Sequence, residues 1–319
     1  MVENNVAVAN FNVTFGNKEE PLLKWFEDII YPAFTSGIER IHKSPGGENA
    51  DRYFFMDVSI VDVGNEDYVL KGKFVKDTTL DVYTVMKDGK LLDTDQHHPS
   101  APYSAFYIFL RNHRMVLIRN QKGSPTIKSF GLTARNILDK YVREKNKTNK
   151  ENNNPERLPY PILNVVGIPM REDLDKALLN VIKMKKLRLR FYPLNGDLDT
   201  KLTGLIDGLA FDLRKAVDAK TGNITINSPE NKQGVAELID STQGVVEATL
   251  EVEYEGKKKG TISNNNISEK ITWNIEGEDI NNEKITGPNM LSLPGIQLTS
   301  EENKKIYNRF LNILKKYLK

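Results

Sequence analysis

Two stretches of the sequence concentrate side chains suited to holding phosphate. From Gln96 to Leu138, between Asp95 and Asp139, 43 residues pass without an acid, and they carry Arg111, Arg114, Arg119, Lys122, Lys128 and Arg135. A second acid-free run, between Asp175 and Asp197, holds Lys183, Lys185, Lys186, Arg188 and Arg190. Guanidinium and ammonium groups pair with phosphate oxygens through charge-assisted hydrogen bonds, and loop N–H groups such as those of Gly123 and Ser124 can add neutral donors. The overall charge of +2 does not by itself point to a polyanionic partner. The charge is unevenly placed, however: residues 1–95 sum to −7 and residues 96–138 to +6. Local fields, rather than the total, decide what a surface attracts.

Other chemistry is sparse. Glu251 and Glu253 share one face of an expected strand, with Lys257, Lys258 and Lys259 close behind. Metal-dependent nucleases set carboxylates and a lysine on adjacent strands in this way, the acids to hold Mg²⁺ and the lysine to steady the attacking water. Leu250 and Val252 alternate with the same acids as on any half-exposed strand, so a solvated face ending in a polar hairpin accounts for the pattern equally well. There is no cysteine, no glycine-rich phosphate loop and no Gly-x-Ser-x-Gly elbow. The four histidines, His42, His97, His98 and His113, all lie in the first half, and adjacent His97 and His98 are poorly placed to share one ion. No catalytic residue, metal site or cofactor is expected.

The elements that must position the cations follow from periodicity. SAFYIFLRN and MVLIRN read as two strands at hairpin spacing around Asn112-His113. Arg111 and Arg114 then flank the turn, Arg119 and Lys122 lie just past the second strand, and Lys128 falls in a further short strand. All are places from which side chains reach outward. In KLRLRFYPL, Leu187, Leu189 and Phe191 point one way and Arg188 and Arg190 the other, which would make one sheet face positive. Each run taken alone also reads as an ordinary solvated face, with Asp212 or Glu251 as candidate partners for the arginines.

Around these lie β-rich segments with turns at Gly64-Asn65 and Asp88-Gly89. LLKWFEDIIYPAF reads as a helix that Pro32 ends or kinks, and LTARNILDKYVREKN as a helix leading to KNKTNKENNNPERLPYP, an Asn/Lys-rich linker. Beyond it come the strand YPILNVVGI, the helix REDLDKALLNVIK, a longer helix over LDTKLTGLIDGLAFDLRKAV, and the strands EATLEVEYEG and KITWNIEG joined by a polar stretch. A terminal helix opened by Thr299 or Ser300 has Ile306, Phe310, Ile313 and Tyr317 at helical spacing. The expected fold is α+β: two α+β domains, mainly antiparallel sheets with packed helices, over residues 1–145 and 161–319, joined by a polar linker at 146–160. The terminal helix could bury in its own core, in a homodimer or in another partner, the last making the chain a protein-interaction scaffold. No apolar run approaches the roughly 20 residues needed to cross a bilayer. The N-terminus is acidic and alternating rather than a signal peptide, so a cytoplasmic location is expected.

The anionic partner could be DNA, RNA, a nucleotide or an acidic protein. Few aromatics interleave the cations, which disfavours single-strand stacking. No helix-turn-helix or zinc finger is recognisable, which disfavours base reading. Sequence-independent contact to the backbone of duplex DNA fits best. In the order and texture of its elements the chain resembles phage-exclusion and antiphage-defence proteins of the RexA and KwaB type. The resemblance is carried by LRLRFYP, LIDGLAFDLRKAV, EATLEVEYEGKKKGTI, SEKITWNI and the basic terminal helix, and in the first half by SAFYIFLRNHRMVLIRNQKGSP. It implies a cytoplasmic two-domain homodimer that binds double-stranded DNA without sequence specificity beside a membrane-protein partner encoded with it. It also implies DNA contacts at Arg111, Arg114, Arg119, Lys122, Lys185, Lys186, Arg188 and Arg190, and it does not extend to residues 1–75.

Overall fold

Two antiparallel sheets and the helices packed on them give an α+β architecture, in a computed structural model that describes residues 3–43, 50–196, 209–268, 271–275, 277–293 and 295–318. The first strand, β1, spans Glu3–Phe15 and β2 is the short Glu20–Pro21. A 3₁₀ turn at Leu22–Trp25 and a π turn at Phe26–Ile30 then lead into helix α1, Tyr31–Thr35. Pro32 therefore sits in the first turn of a helix and does not end one. Its ring crowds the carbonyl four residues back, and the turn before it widens so that the Tyr31 N–H reaches the Phe26 carbonyl.

The chain continues through β3 (Arg40–Lys43), β4 (Ala50–Asp62), β5 (Tyr68–Lys87) and β6 (Lys90–Ser100), the hairpin β7 (Tyr103–Phe109) and β8 (Arg114–Arg119), and helix α2 (Ile127–Glu151). Strand β9 (Pro161–Gly167), α3 (Arg171–Leu179), β10 (Lys183–Phe191), α4 (Leu209–Ala216), β11 (Gly222–Asn227), α5 (Lys232–Ser241), β12 (Glu247–Glu253) and β13 (Lys259–Ser263) follow. The described chain ends in α6 (Asn264–Ile267), β14 (Ile271–Asn274), α7 (Glu283–Leu291) and α8 (Glu301–Lys315). Residues 198–208 of the long helix expected before β11 lie outside the described residues. Among the described residues, no helix is long and apolar enough to cross a membrane.

The large sheet runs β14-β1-β8-β7-β5-β4-β3. Its central strands are buried on both faces, which is why SAFYIFL and MVLI are apolar without interruption. Phe106, Ile108 and Leu110 enter one core with Phe11, Phe34, Phe55, Phe74 and Phe130, while Tyr107, Phe109, Val116 and Ile118 enter a second with Ile280, Met290 and Ile296. In the first core Phe34 stacks on Phe55 at a centroid distance of 4.5 Å, and Phe130 from α2 meets Phe55, Phe74 and Phe106 at 5.2–5.3 Å. The smaller sheet runs β11-β10-β12-β13, with α3 and α5 on one face over Leu187, Leu189, Leu250 and Val252.

The long-range pairings differ from the expected two-part division. Residues 145–151, read as the start of a linker, are the last turns of α2. The loop after them is tied back by Asn146, which accepts from the Leu158 N–H at 2.7 Å and donates to its carbonyl at 2.9 Å. Strand β9 pairs with β1 from Ala9↔Gly167 to Phe15↔Pro161, so residues 161–167 complete the first sheet. The segment ITWN does not return along β12; that place belongs to β13, and β14 pairs with β1 at Glu3–Val6 instead. Strand β1 is long, and the edge it turns away from β8 is covered by β14 and β9 in succession, which leaves few unpaired backbone groups along it. The terminal helix α8, capped by Ser300, buries Ile306, Tyr307 and Leu314 in the first core, with Phe310 and Tyr317 packed beside them. It is thus part of the chain's own interior.

Candidate anion-binding surface

The cations of β10 leave the sheet on the face opposite α3 and α5, because Leu187, Leu189 and Phe191 take the inward positions. The expected positive face is largely neutralised by the register of β12. Lys183 lies opposite Glu253, Lys186 opposite Glu251 and Arg190 opposite Glu247. A bulge between Met184 and Lys186 inserts Lys185, whose Nζ reaches Glu253 Oε2 at 2.5 Å, while Lys186 Nζ stands 4.0 Å from Glu251 Oε1. The Lys185 hydrogen bond holds the Glu253 carboxyl below its ordinary range. Glu251 and Glu253 are thus drawn to lysines of β10. Among the described residues, no three of His, Asp and Glu come together to hold a metal.

Arg188 differs from its neighbours. It is exposed, and the residues in register on its two sides are Thr225 and Thr249, so no carboxylate lies across either strand from it. One step along the same face, Arg190 sits over the ring of Tyr192 at 5.2 Å. The Tyr192 hydroxyl donates to Glu247 Oε2 at 3.2 Å, and burial pushes the phenol up, so it remains a neutral donor at neutral pH. Arg135, exposed on α2, acts electrostatically on the same Tyr192 and donates from Nη2 to the Leu163 carbonyl at 2.7 Å. Arg135 of the first window and Arg190 of the second thus both act electrostatically on the Tyr192 phenol. One helical turn beyond Arg135, burial raises the Asp139 carboxyl against the opposing pull of Arg135, Arg143 and Lys220. Arg143 and Lys220 were not singled out in the sequence, although Arg135 and Arg143, two helical turns apart, share a face of α2.

Most of the first window goes elsewhere. The tip of the β7–β8 hairpin is covered rather than exposed, because Asn112 Nδ2 donates to the carbonyls of Ile296 at 2.6 Å and Leu298 at 3.0 Å. Arg114 is 6% exposed, and its Nη1 donates to the Gln243 carbonyl at 2.5 Å. Arg111 is half-buried against Asp67, with Nη2 to Oδ2 at 3.0 Å, beside a cavity of about 330 Å³ that Tyr307 and Leu311 of α8 also line. The outward reach expected of both arginines is corrected by this burial. Arg119 is half-buried at the end of β8, where its carbonyl accepts from Asn4 Nδ2 at 3.0 Å. Lys122 is exposed in the following loop. Lys128 is exposed as well, in the first turn of α2 and not in a strand, since Thr126 and Ser129 form a capping box that starts the helix.

The Arg111–Asp67 pair has a testable consequence. Burial raises the Asp67 carboxyl, and Arg111 is the cation that opposes the rise. Arg111→Met removes that opposition, so the folded-state value moves further above the unfolded one. The folded state is then penalised as pH rises through that window, and the penalty is relieved when the carboxyl protonates. The variant is expected to lose about 2 kcal/mol at neutral pH and distinctly less near pH 4. Denaturant titrations at both pH values check this, and equal losses would refute the charge account.

Comparisons with known protein families, with curated proteins and with solved structures give no match to this chain.

Proposed function

We propose that the protein binds duplex DNA without reading its sequence, through phosphate contacts from Arg188 and Arg190 on β10 and Arg135 on α2, with Lys128, Arg143 and Lys220 extending the field. The observation that carries this reading is Arg188, an exposed guanidinium on β10 with threonines in register on both sides, next to Arg190 over the ring of Tyr192 and in a region whose electrostatics Arg135 also shapes. Strand-borne arginines suit phosphate oxygens, which carry no sequence information. Binding without cleavage is the expected outcome in the presence of Mg²⁺.

Fluorescence anisotropy with a random duplex of about 30 base pairs tests the proposal. Three phosphate contacts give a log–log salt slope near −2.7, or about 40-fold weaker binding between roughly 50 and 200 mM salt. Affinity that does not change with salt would rule it out. The resemblance to the RexA and KwaB type supports placing this binding in phage exclusion, beside a membrane-protein partner. Plating efficiency of phage on cells with and without the protein tests that role.

A further inference from the structure

Strand β5 runs on after its pairing with β4 and β7 has ended. From Thr78 to Lys87 its strand partner is β6, and β6 pairs with no other strand among the described residues. The two are joined through Asp88 and Gly89, at φ of 52° and 74°, a two-residue turn whose twist suits a hairpin and for which Asp-Gly is a preferred pair. No residue from Thr78 to Ser100 is buried. Yet the ribbon is apolar on both faces near its tip. Met86 lies opposite Leu91 on one face and Val85 opposite Leu92 on the other. Met86 is 68% and Leu91 71% exposed, and Tyr83 and Leu80 are 64% and 57% exposed. A two-stranded ribbon alone in water is marginal, and apolar surface gathered in this way on a folded protein marks a contact.

The charges indicate what covers it. Lys87 and Lys90 lie directly opposite each other at the tip, on the face of Val85 and Leu92 and on either side of Asp88 in the turn, and neither is in an ion pair among the described residues. Facing like charges weaken a strand pair unless an acid from elsewhere comes between them. The stem carries the converse excess, Asp81, Asp93 and Asp95, relieved within the ribbon by His97 alone, which lies 2.7 Å from Asp81 and 3.4 Å from Asp95. Counting Asp88, the ribbon is thus positive by one net charge at its tip and negative along its stem, with Asp81 and Asp95 on the face of the lysines. A copy laid antiparallel beside it matches both ends at once, which is the self-complementarity a two-fold contact requires. The stem acids disfavour a nucleic acid or an anionic lipid surface as occupant.

We propose that the β5–β6 ribbon is a dimerisation arm, packing antiparallel about a two-fold axis on the same arm of a second copy of this chain. Val85 and Leu92 of the two arms meet at the centre, on the face that also carries Lys87 and Lys90, and the lysines of each tip lie over Asp81 and Asp95 of the other stem. This contact is independent of the DNA-binding surface.

Sedimentation and light scattering of the full chain test it. The wild-type protein is expected at twice the chain mass at micromolar concentration. Val85→Asp with Leu92→Asp is expected to weaken association by about 100-fold or more, with an unchanged melting temperature because the arm touches neither core. Lys87→Glu with Lys90→Glu, and separately Asp81→Lys with Asp95→Lys, are each expected to be monomeric, while an equimolar mixture of the two variants pairs. A wild-type monomer, a dimer that survives the aspartate substitutions, or charge-reversed variants that fail to pair when mixed would each overturn the proposal.

Discussion

Replacing Arg188 and Arg190 together with glutamate is expected to weaken duplex binding by about 100-fold or more at low salt, and by the same factor for every sequence. Charge-assisted contacts to phosphate contribute about 1.5–3 kcal/mol each, and two of them span two or more powers of ten in affinity. Reversal also places two anions where phosphates would lie. The salt slope is expected to fall by about two, one for each lost contact. Both side chains are exposed, while the residues between and beside them, Leu187, Leu189 and Phe191, hold the strand to α3 and α5. The variant should therefore melt like the wild type, so that lost binding reports the surface and not the fold. The matched control is Lys186→Glu. Lys186 already lies opposite Glu251, and its change is expected to matter several-fold less. Equal effects at Lys186 and Arg188 would show that the missing cross-strand acid is not what distinguishes the site.

Phe130→Ala is expected to cost about 3–5 kcal/mol of stability, a large share of the total for a domain of ordinary stability. Phe130 is fully buried on α2, and its ring lies 5.2–6.5 Å from those of Phe11, Phe34, Phe55, Phe74 and Phe106. Those five come from β1, α1, β4, β5 and β7. The alanine cavity would open where a helix and four strands of one sheet converge, so no single neighbour can move in to fill it. Because α2 also carries Arg135, the same substitution should reduce DNA binding in proportion to the unfolded fraction. Phe130→Leu, which keeps most of the volume, is expected to recover most of both. Thermal or urea denaturation followed by near-ultraviolet circular dichroism measures the effect, and a loss below about 1 kcal/mol would mean that the cluster is less tightly packed than its ring distances require.

Local patterns in the sequence determined a good deal. The period-two alternation of KLRLRF decided which residues of β10 enter the core and which leave it. Hairpin spacing placed β7 against β8, the Asp88-Gly89 pair located the ribbon turn, and Thr299-Ser300 marked the start of α8, which Ser300 caps. All of these depend on neighbours a few residues away, where backbone sterics, side-chain alternation and capping act directly. The tertiary structure decided what those patterns could not contain. Arg111 and Arg114 look like turn-flanking surface cations until Asp67 and the Gln243 carbonyl arrive from distant parts of the chain and take them inward. Strands β9 and β14 look like members of a second domain until the open edge of β1 claims them. Arg135 was one cation among six, and only the folded chain brings it within electrostatic reach of Tyr192, whose ring Arg190 covers. Whether a charged side chain serves the interior or the surface depends on which acid or carbonyl comes within about 3 Å of it, and that proximity is a property of the folded chain.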